Sequence, residues 1–292
     1  MTHRPSVTAT TVTRHGPTDR NLGGQMSEKT AIAAPPSWMS VLEVRAFNER
    51  ALMTAALPLL RRLPKGDGHH VIVLPGFTAG DGSTRPLRHL LRDLGYHAHG
   101  WRLGQNLGPT HEILGGLGDL LERVHRQAGA PVTLIGWSLG GIYARELARA
   151  APHAVRQVIT LGSPIQMVEN DSSGAEQIWK RLRPLHSPTF TRDVRAAFRP
   201  HLEVPATSVY SRTDGVVNWQ SSLVRKTATT ENIRVVGSHI GLGFNTSVIY
   251  AVADRLAQPA GSWRSFRAPL LLRGAYPPAD NLDPARLPGS AA

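Results

Sequence analysis

A serine hydroxyl is a poor nucleophile unless a base takes its proton as it attacks. The pentapeptide Gly136-Trp137-Ser138-Leu139-Gly140 sets a serine between two glycines. It follows the apolar run Pro131-Val132-Thr133-Leu134-Ile135 and precedes an amphipathic stretch from Ile142 to Ala150. A strand that turns sharply into a helix holds such a serine in a strained backbone, so the residues on either side must be small. The helix N-terminus behind it favours negative charge developing there. Gly-X-Ser-X-Gly alone is a weak signal, and the strand before and helix after it give it chemical meaning.

A base and an acid are then required, and in a strand–turn–helix setting of this kind they follow in the order Ser, Asp, His. Of 13 histidines only His239 lies beyond residue 201, in Gly237-Ser238-His239-Ile240-Gly241 directly after the segment Ile233–Gly237. The acid must hold the imidazole in one tautomer and stabilise its charged form. Asp214 fits, after Ala206–Ser211 in Ser211-Arg212-Thr213-Asp214-Gly215-Val216-Val217. Asp-Gly is also ordinary turn chemistry, so Asp214 has a competing reading as a turn residue. Asp171 and Asp193 fall in an irregular stretch, and Glu231 is placed ahead of the last strand rather than after it.

Acyl transfer also needs N–H donors for an oxyanion. Leu139 supplies one beside the nucleophile, and Phe77 in Leu74-Pro75-Gly76-Phe77-Thr78 the other, with the Thr78 hydroxyl a weaker substitute. With these two residues, Trp137, Ile165, Met167, Val216 and Val217 are candidate substrate contacts that favour a hydrophobic acyl chain.

Strand and helix patterns alternate around these residues, which implies an α/β fold on a parallel sheet. Strands are predicted over His70–Pro75, Tyr96–Trp101, Val132–Gly136, Val155–Leu161, Ala206–Ser211 and Ile233–Gly237. Helices are predicted over 84–94, 111–128, 140–150 and 246–256. Residues 163–204 break the rhythm and are too long for an ordinary connection, so they read as a cap within a domain spanning 64–260. Residues 38–63 carry Val41, Val44, Phe47, Leu52, Ala55 and Leu59 at helical spacing. That predicts an amphipathic helix packing on the domain, of a kind that also lies on membrane surfaces. Residues 1–37 read as a disordered extension ahead of it, with a second start at Met26, and the Pro-rich 261–292 as an extended tail.

At 292 residues the chain accommodates one such domain. Absence of cysteine excludes disulfides, a thiolate nucleophile and cysteine-based metal sites. The net charge of +12 comes from scattered arginines, with four lysines and no basic run interleaved with aromatics, so nucleic acid is not expected as a partner. His97 and His99 alternate along one strand, but without a carboxylate pattern nearby no metal site is expected. No phosphate loop or dinucleotide fingerprint is present. Lacking an apolar leader or an apolar run of about 18 residues, the chain is expected to be cytoplasmic.

Four pieces, Leu-Pro-Gly-Phe at 74–77, Gly-Trp-Ser-Leu-Gly-Gly at 136–141, Asp-Gly-Val-Val at 214–217 and Ser-His-Ile-Gly at 238–241, together resemble the lipases and esterases of the α/β-hydrolase superfamily over residues 68–258. The resemblance implies a mostly parallel central sheet with helices on both faces and a cap insertion. It also implies a small-molecule or lipid ester substrate, an acyl-enzyme on Ser138, and no cofactor. Pro75-Gly76 stands where many relatives have His-Gly, which leaves the subfamily open. A serine at the elbow argues against a dehalogenase. Acyltransferases and thioesterases share the acyl-enzyme, so both stay open as alternatives. A lipid-binding or scaffold protein without turnover is the alternative of another class.

Overall fold

Val71-Ile72-Val73-Leu74 is apolar on both sides of the pleat, a pattern that suits only a strand covered on both faces. The computed structural model, which describes residues 32–166, 173–190 and 201–281, places this run as β1 (His70–Leu74) inside a six-stranded sheet. The others are β2 (His97–Gly100), β3 (Val132–Trp137), β4 (Val155–Leu161), β5 (Ala206–Ser211) and β6 (Thr230–Val235). Every pairing is parallel and the order is β2-β1-β3-β4-β5-β6. The winding reverses between β1 and β3, and a crevice opens where connections leave in opposite directions. Gly76 follows β1 and Ser138 follows β3, so the predicted nucleophile stands at that point.

Side chains alternate between two buried layers. Val71, Val73, Ile135, Ile159 and Val209 face a core closed by α2 (Arg45–Leu60), α3 (Asp81–Asp93) and α7 (Thr246–Leu256). Ile72, Leu74, Leu134 and Val158 face the opposite core, closed by α4 (His111–Ala128) and α5 (Leu139–Ala150). Thr110 caps α4 by accepting from the Ile113 N–H, and Gly129 ends it at φ 60°, the left-handed stop that glycine favours. Among the described residues no helix is long and apolar enough to cross a membrane.

Two expectations fail. The N-terminal segment is helical, as α1 (Ser37–Val41), a 3₁₀ turn at Leu42–Val44 and then α2, but its orientation is reversed. Val41, Val44, Phe47, Leu52, Ala55 and Leu59 are exposed, Phe47 by 77%, whereas Glu43, Ala46, Met53 and Leu60 are buried. The segment is apolar on both sides, and hydropathy ranked the wider stripe as inner. The inner face was decided by two carboxylates that the domain binds.

The second failure concerns β6, which begins at Thr230, so Glu231 lies within the strand and is buried. Its Oε1 accepts from Arg255 Nη1 at 2.7 Å and from Thr207 Oγ1 at 3.2 Å. Desolvation raises the Glu231 pKa, against the opposing pull of Arg255. The tail, expected to be extended, is irregular but for a 3₁₀ turn at Leu270–Ala275, and up to residue 281 it lies against the domain. Phe266 and Tyr276 pack on the α7 side of the core, Tyr276 donates to the Ser247 carbonyl at 2.8 Å, and Asp280 accepts from Tyr210 at 2.8 Å. Residues 282–292 lie outside the described residues.

Arg255→Ala leaves Glu231 buried without its cation, and breaking a buried pair this way costs about 3–5 kcal/mol. Urea unfolding should show a loss of that size, and a loss below about 1 kcal/mol would mean the pair is screened as a surface pair is.

Candidate active site

The β3–α5 turn puts Ser138 at φ 54°, ψ −123°, a backbone that side chains rarely adopt. Its N–H donates to the Leu161 carbonyl at 2.8 Å, and its own carbonyl accepts from Gly141 at 2.9 Å. The flanking glycines are needed for space. A β-carbon on Gly136 would stand 2.3 Å from the Gly140 carbonyl oxygen, and one on Gly140 2.5 Å from that of Leu74. The turn after β1 comes equally close, since a β-carbon on Gly76 would lie 3.2 Å from the Ser138 β-carbon.

That turn is held by a residue the sequence reading missed. Asn106 is fully buried, and its Nδ2 donates to the Pro75 carbonyl at 3.0 Å. Its Oδ1 accepts from the Gly108 N–H and the Tyr143 hydroxyl, each at 3.2 Å, and its carbonyl accepts from the Thr78 N–H at 2.7 Å. One side chain thereby links the β1 turn to α5. Asn106 sits in an irregular loop with no periodicity, so no local signal marks it. Among the described residues the N–H groups of Phe77 and Leu139 have no protein acceptor, and both residues line the cavity onto which Ser138 opens.

Asp214 and His239 leave the carboxyl ends of β5 and β6 and meet. His239 Nδ1 donates to Asp214 Oδ2 at 2.6 Å, with the side chains 8% and 2% exposed. Asp214 Oδ1 accepts from the N–H groups of Val216 and Val217 at 2.9 and 2.7 Å. Asp214 thus binds its own turn with one oxygen and His239 with the other. Burial alone would depress the His239 pKa, but the charge and hydrogen bond of Asp214, with the charge of Glu43 adding, raise it above the usual 6.5. The β4 turn passes close by: a β-carbon on Gly162, at φ 55°, would stand 3.1 Å from Asp214 Oδ2 and 3.2 Å from His239 Nδ1.

Two carboxylates from the N-terminal helical segment also reach these loops, and neither was legible beforehand. Glu43 Oε1 accepts from the Gly215 and His239 N–H groups at 2.8 and 2.9 Å, and Oε2 from Ile240 at 2.8 Å. Glu49 accepts from the Ser238 N–H at 3.0 Å and its hydroxyl at 2.7 Å.

Of the substrate residues expected from sequence, Val216 and Val217 line the cavity beside Ser138, as do Phe77 and Leu139. Trp137 does not. Its side chain turns into the core, edge-on to Phe244, and its indole N–H donates to the His239 carbonyl at 3.1 Å. Alternation along β3 carries it to the face opposite Leu134, so it supports the histidine loop. Ile165 is buried but off the wall, where Pro164 stands instead, and Met167 lies outside the described residues.

The wall also includes Pro109 and Ile142, and Ser173, Ala175, Glu176, Trp179 and Phe190 from the stretch expected to be a cap. Its described part, 173–190, contains α6 (Glu176–Leu182), whose Trp179 ring lies 5.3 Å from Phe77 and 4.3 Å from His186. Hydrogen bonds from Gly174 N–H to the Val216 carbonyl and from Ser187 N–H to the Pro109 carbonyl, each 2.8 Å, tie it down. Residues 167–172 and 191–200 of that stretch lie outside the described residues. Among the described residues no group of three or more His, Asp or Glu side chains could hold a metal ion.

Comparison with known proteins places this geometry. The profile described as "Alpha/beta hydrolase family" matches residues 33–292. Curated relatives include a pimeloyl-[acyl-carrier protein] methyl ester esterase of Aliivibrio fischeri, 31% identical over 80 residues, or 27% of this chain and 29% of that protein. Its counterpart from Shewanella woodyi is 31% identical over 109 residues, or 37% and 41%. This chain thus spans less than half the length of these relatives. Among solved structures, Aspergillus fumigatus lipase B matches with TM-score 0.53 and 16% identity over 67% of this chain and 54% of that one. A soluble variant of Saccharomyces cerevisiae monoglyceride lipase gives TM-score 0.50 and 12% identity over 68% and 91%. At such identities the likeness is one of fold.

Asn106→Ala strips partners from the Tyr143 hydroxyl and the Pro75 carbonyl in the interior. Leaving buried polar groups unsatisfied costs about 1–3 kcal/mol, and chemical denaturation of the variant against wild type measures it.

Proposed function

The chain belongs to the alpha/beta hydrolase family, and from that membership we propose that it is a serine ester hydrolase working through Ser138, His239 and Asp214. The observation that carries the reading is the buried Asp214–His239 pair at 2.6 Å, formed at the same end of the sheet as the strained Ser138. With Nδ1 committed to Asp214, Nε2 is the nitrogen that serves the serine. It takes the Ser138 proton as Oγ bonds to the ester carbonyl carbon. The resulting oxyanion receives the N–H groups of Phe77 and Leu139, donors already in place before reaction. Collapse breaks the bond to the alcohol oxygen, which leaves with the proton from Nε2. Water, deprotonated by the same nitrogen, attacks the acyl-enzyme, and the acid departs as Ser138 recovers its proton.

The cavity supports an apolar acyl group, since its described lining is apolar except for Ser138, Ser173 and Glu176. Among the described residues Glu176 is the one carboxylate on that wall, 3.4 Å from Lys180. An acyl ester of a small alcohol suits this shape, as does the methyl ester in the name of the curated relatives.

Hydrolysis of p-nitrophenyl esters of graded chain length tests the proposal. Wild type should turn over with an optimum at medium or long chains, and Ser138→Ala should be inactive. Asp214→Asn should lose about 10⁴-fold in kcat, because the imidazole loses its fixed tautomer. His239 must be neutral to act as base, and its pKa is raised, so kcat/KM should climb with pH through a midpoint above 6.5. Wild type without turnover on any ester would sink the reading, and turnover confined to thioesters would move it to a thioesterase.

A further inference from the structure

Glu43 is buried, yet among the described residues it has no ion-pair partner. A carboxylate taken out of water is costly unless hydrogen bonds replace its hydration. Here three backbone N–H groups do so, and their positions are informative. A single oxygen, Oε1, accepts from Gly215, next to the acid, and from His239, the base itself, while Oε2 accepts from Ile240. Gly215 permits the approach, because a β-carbon there would stand 2.4 Å from the Met39 carbonyl oxygen. The helical segment that delivers Glu43 lies outside the sheet, in which β5 pairs with β6 over Ala206–Ser211. Ser211, whose hydroxyl donates to the Gly237 carbonyl at 2.8 Å, joins the ends of those strands, and Glu43 reaches the residues beyond them.

We propose that Glu43 is a positioning residue of the active site, one carboxylate that fixes the acid loop and the base loop relative to each other. The inference rests on the ester-hydrolase reading for its catalytic consequence. Its geometry adds a second effect. When Nε2 takes the serine proton the imidazole becomes cationic, and a fixed negative charge at its own backbone stabilises that form alongside Asp214.

The charged groups facing this loop from each packed element are few. Asp214 comes from the β5 loop, Glu43 from the 3₁₀ turn, and Glu49 from α2 through Ser238. Arg45 donates to the Thr213 carbonyl at 2.9 Å, and Arg50 lies 5.3 Å from the Phe244 ring centre. Removing Glu43 thus tilts the balance toward the cations, and the neutral imidazole gains.

The test uses Glu43→Ala, Glu43→Gln and Glu43→Asp in the full chain, each with thermal melting, kcat and KM on the best p-nitrophenyl ester, and proton NMR titration of His239. Glu43→Ala should lower kcat by about 10²-fold, the size of effect a small misplacement of reacting groups produces. KM should stay nearly unchanged, since the residue does not touch substrate. Glu43→Gln keeps an acceptor oxygen without the charge, so it should retain more activity and shift the acid limb of kcat/KM to lower pH. Glu43→Asp keeps the charge and should hold that limb near its wild-type position. Folded Ala and Gln variants with wild-type kcat and an unmoved limb overturn the proposal, as does a loss of activity that only tracks the unfolded fraction. Were wild type inactive on every ester, the ester-hydrolase reading would fall. The NMR midpoint would still judge Glu43: a downward shift in Glu43→Gln supports it and an unshifted midpoint overturns it.

Discussion

A residue with a β-carbon at φ 54° persists only where its surroundings leave it no alternative. Ser138 is held there by β3 ending in hydrogen bonds to β4, by α5 starting at once behind it, and by the β1 turn pressed against it. That crowding accounts for much nearby: glycines where backbones would collide, Asn106 buried to fasten the β1 turn, and Ser163 packed against Gly141. The serine sits on the junction of a central strand and a buried helix rather than on a mobile loop.

Asp214 and His239 arrive differently, on loops that leave β5 and β6 at the far side of the sheet. Loops lack ladder hydrogen bonds, so their geometry has to come from side chains. Asp214 spends one oxygen on its own turn and the other on His239, while Trp137 and two glutamates from the N-terminal segment hold the histidine loop. Asp214 binds the imidazole, Glu43 the His239 N–H and Glu49 the neighbouring Ser238, and among the described residues none of the three carboxylates is ion-paired to an arginine or lysine. An imidazole in that field is a stronger base than its burial alone would allow.

The same N-terminal segment leaves Trp38, Val41, Val44 and Phe47 more than half exposed. Desolvating two glutamates into N–H-rich loops has determined which side faces inward, and its apolar residues take the side that remains. The cavity follows the opposite logic. Aromatic and aliphatic side chains from the β1 turn, α5 and the 173–190 stretch line most of the cavity beside the serine, with Ser173 and Glu176 polar among the described lining.

How much of this was readable in advance depends on whether the signal is local. Apolar runs bounded by glycine mark β1 and β3 because burial on both faces demands such runs, and the elbow is legible because backbone crowding permits only glycine around Ser138. The order Ser, Asp, His with strand-end placement picked out Asp214 and His239 for the same reason: a parallel sheet sends every carboxyl end to one side. What resisted reading is contact between distant segments. Glu43 and Glu49 look like ordinary surface residues of a helix, Asn106 like a loop residue, and the tail like a free end, until folding brings the histidine loop, the β1 turn and α7 against them. Trp137 shows the limit within a single strand, since adjacency to Ser138 in the chain suggested contact with substrate while the pleat turns it into the core. Local sterics and periodicity are written in the chain itself; the choice of partner for a buried charge, and the facing of a helix apolar on both sides, are settled only when the surfaces meet.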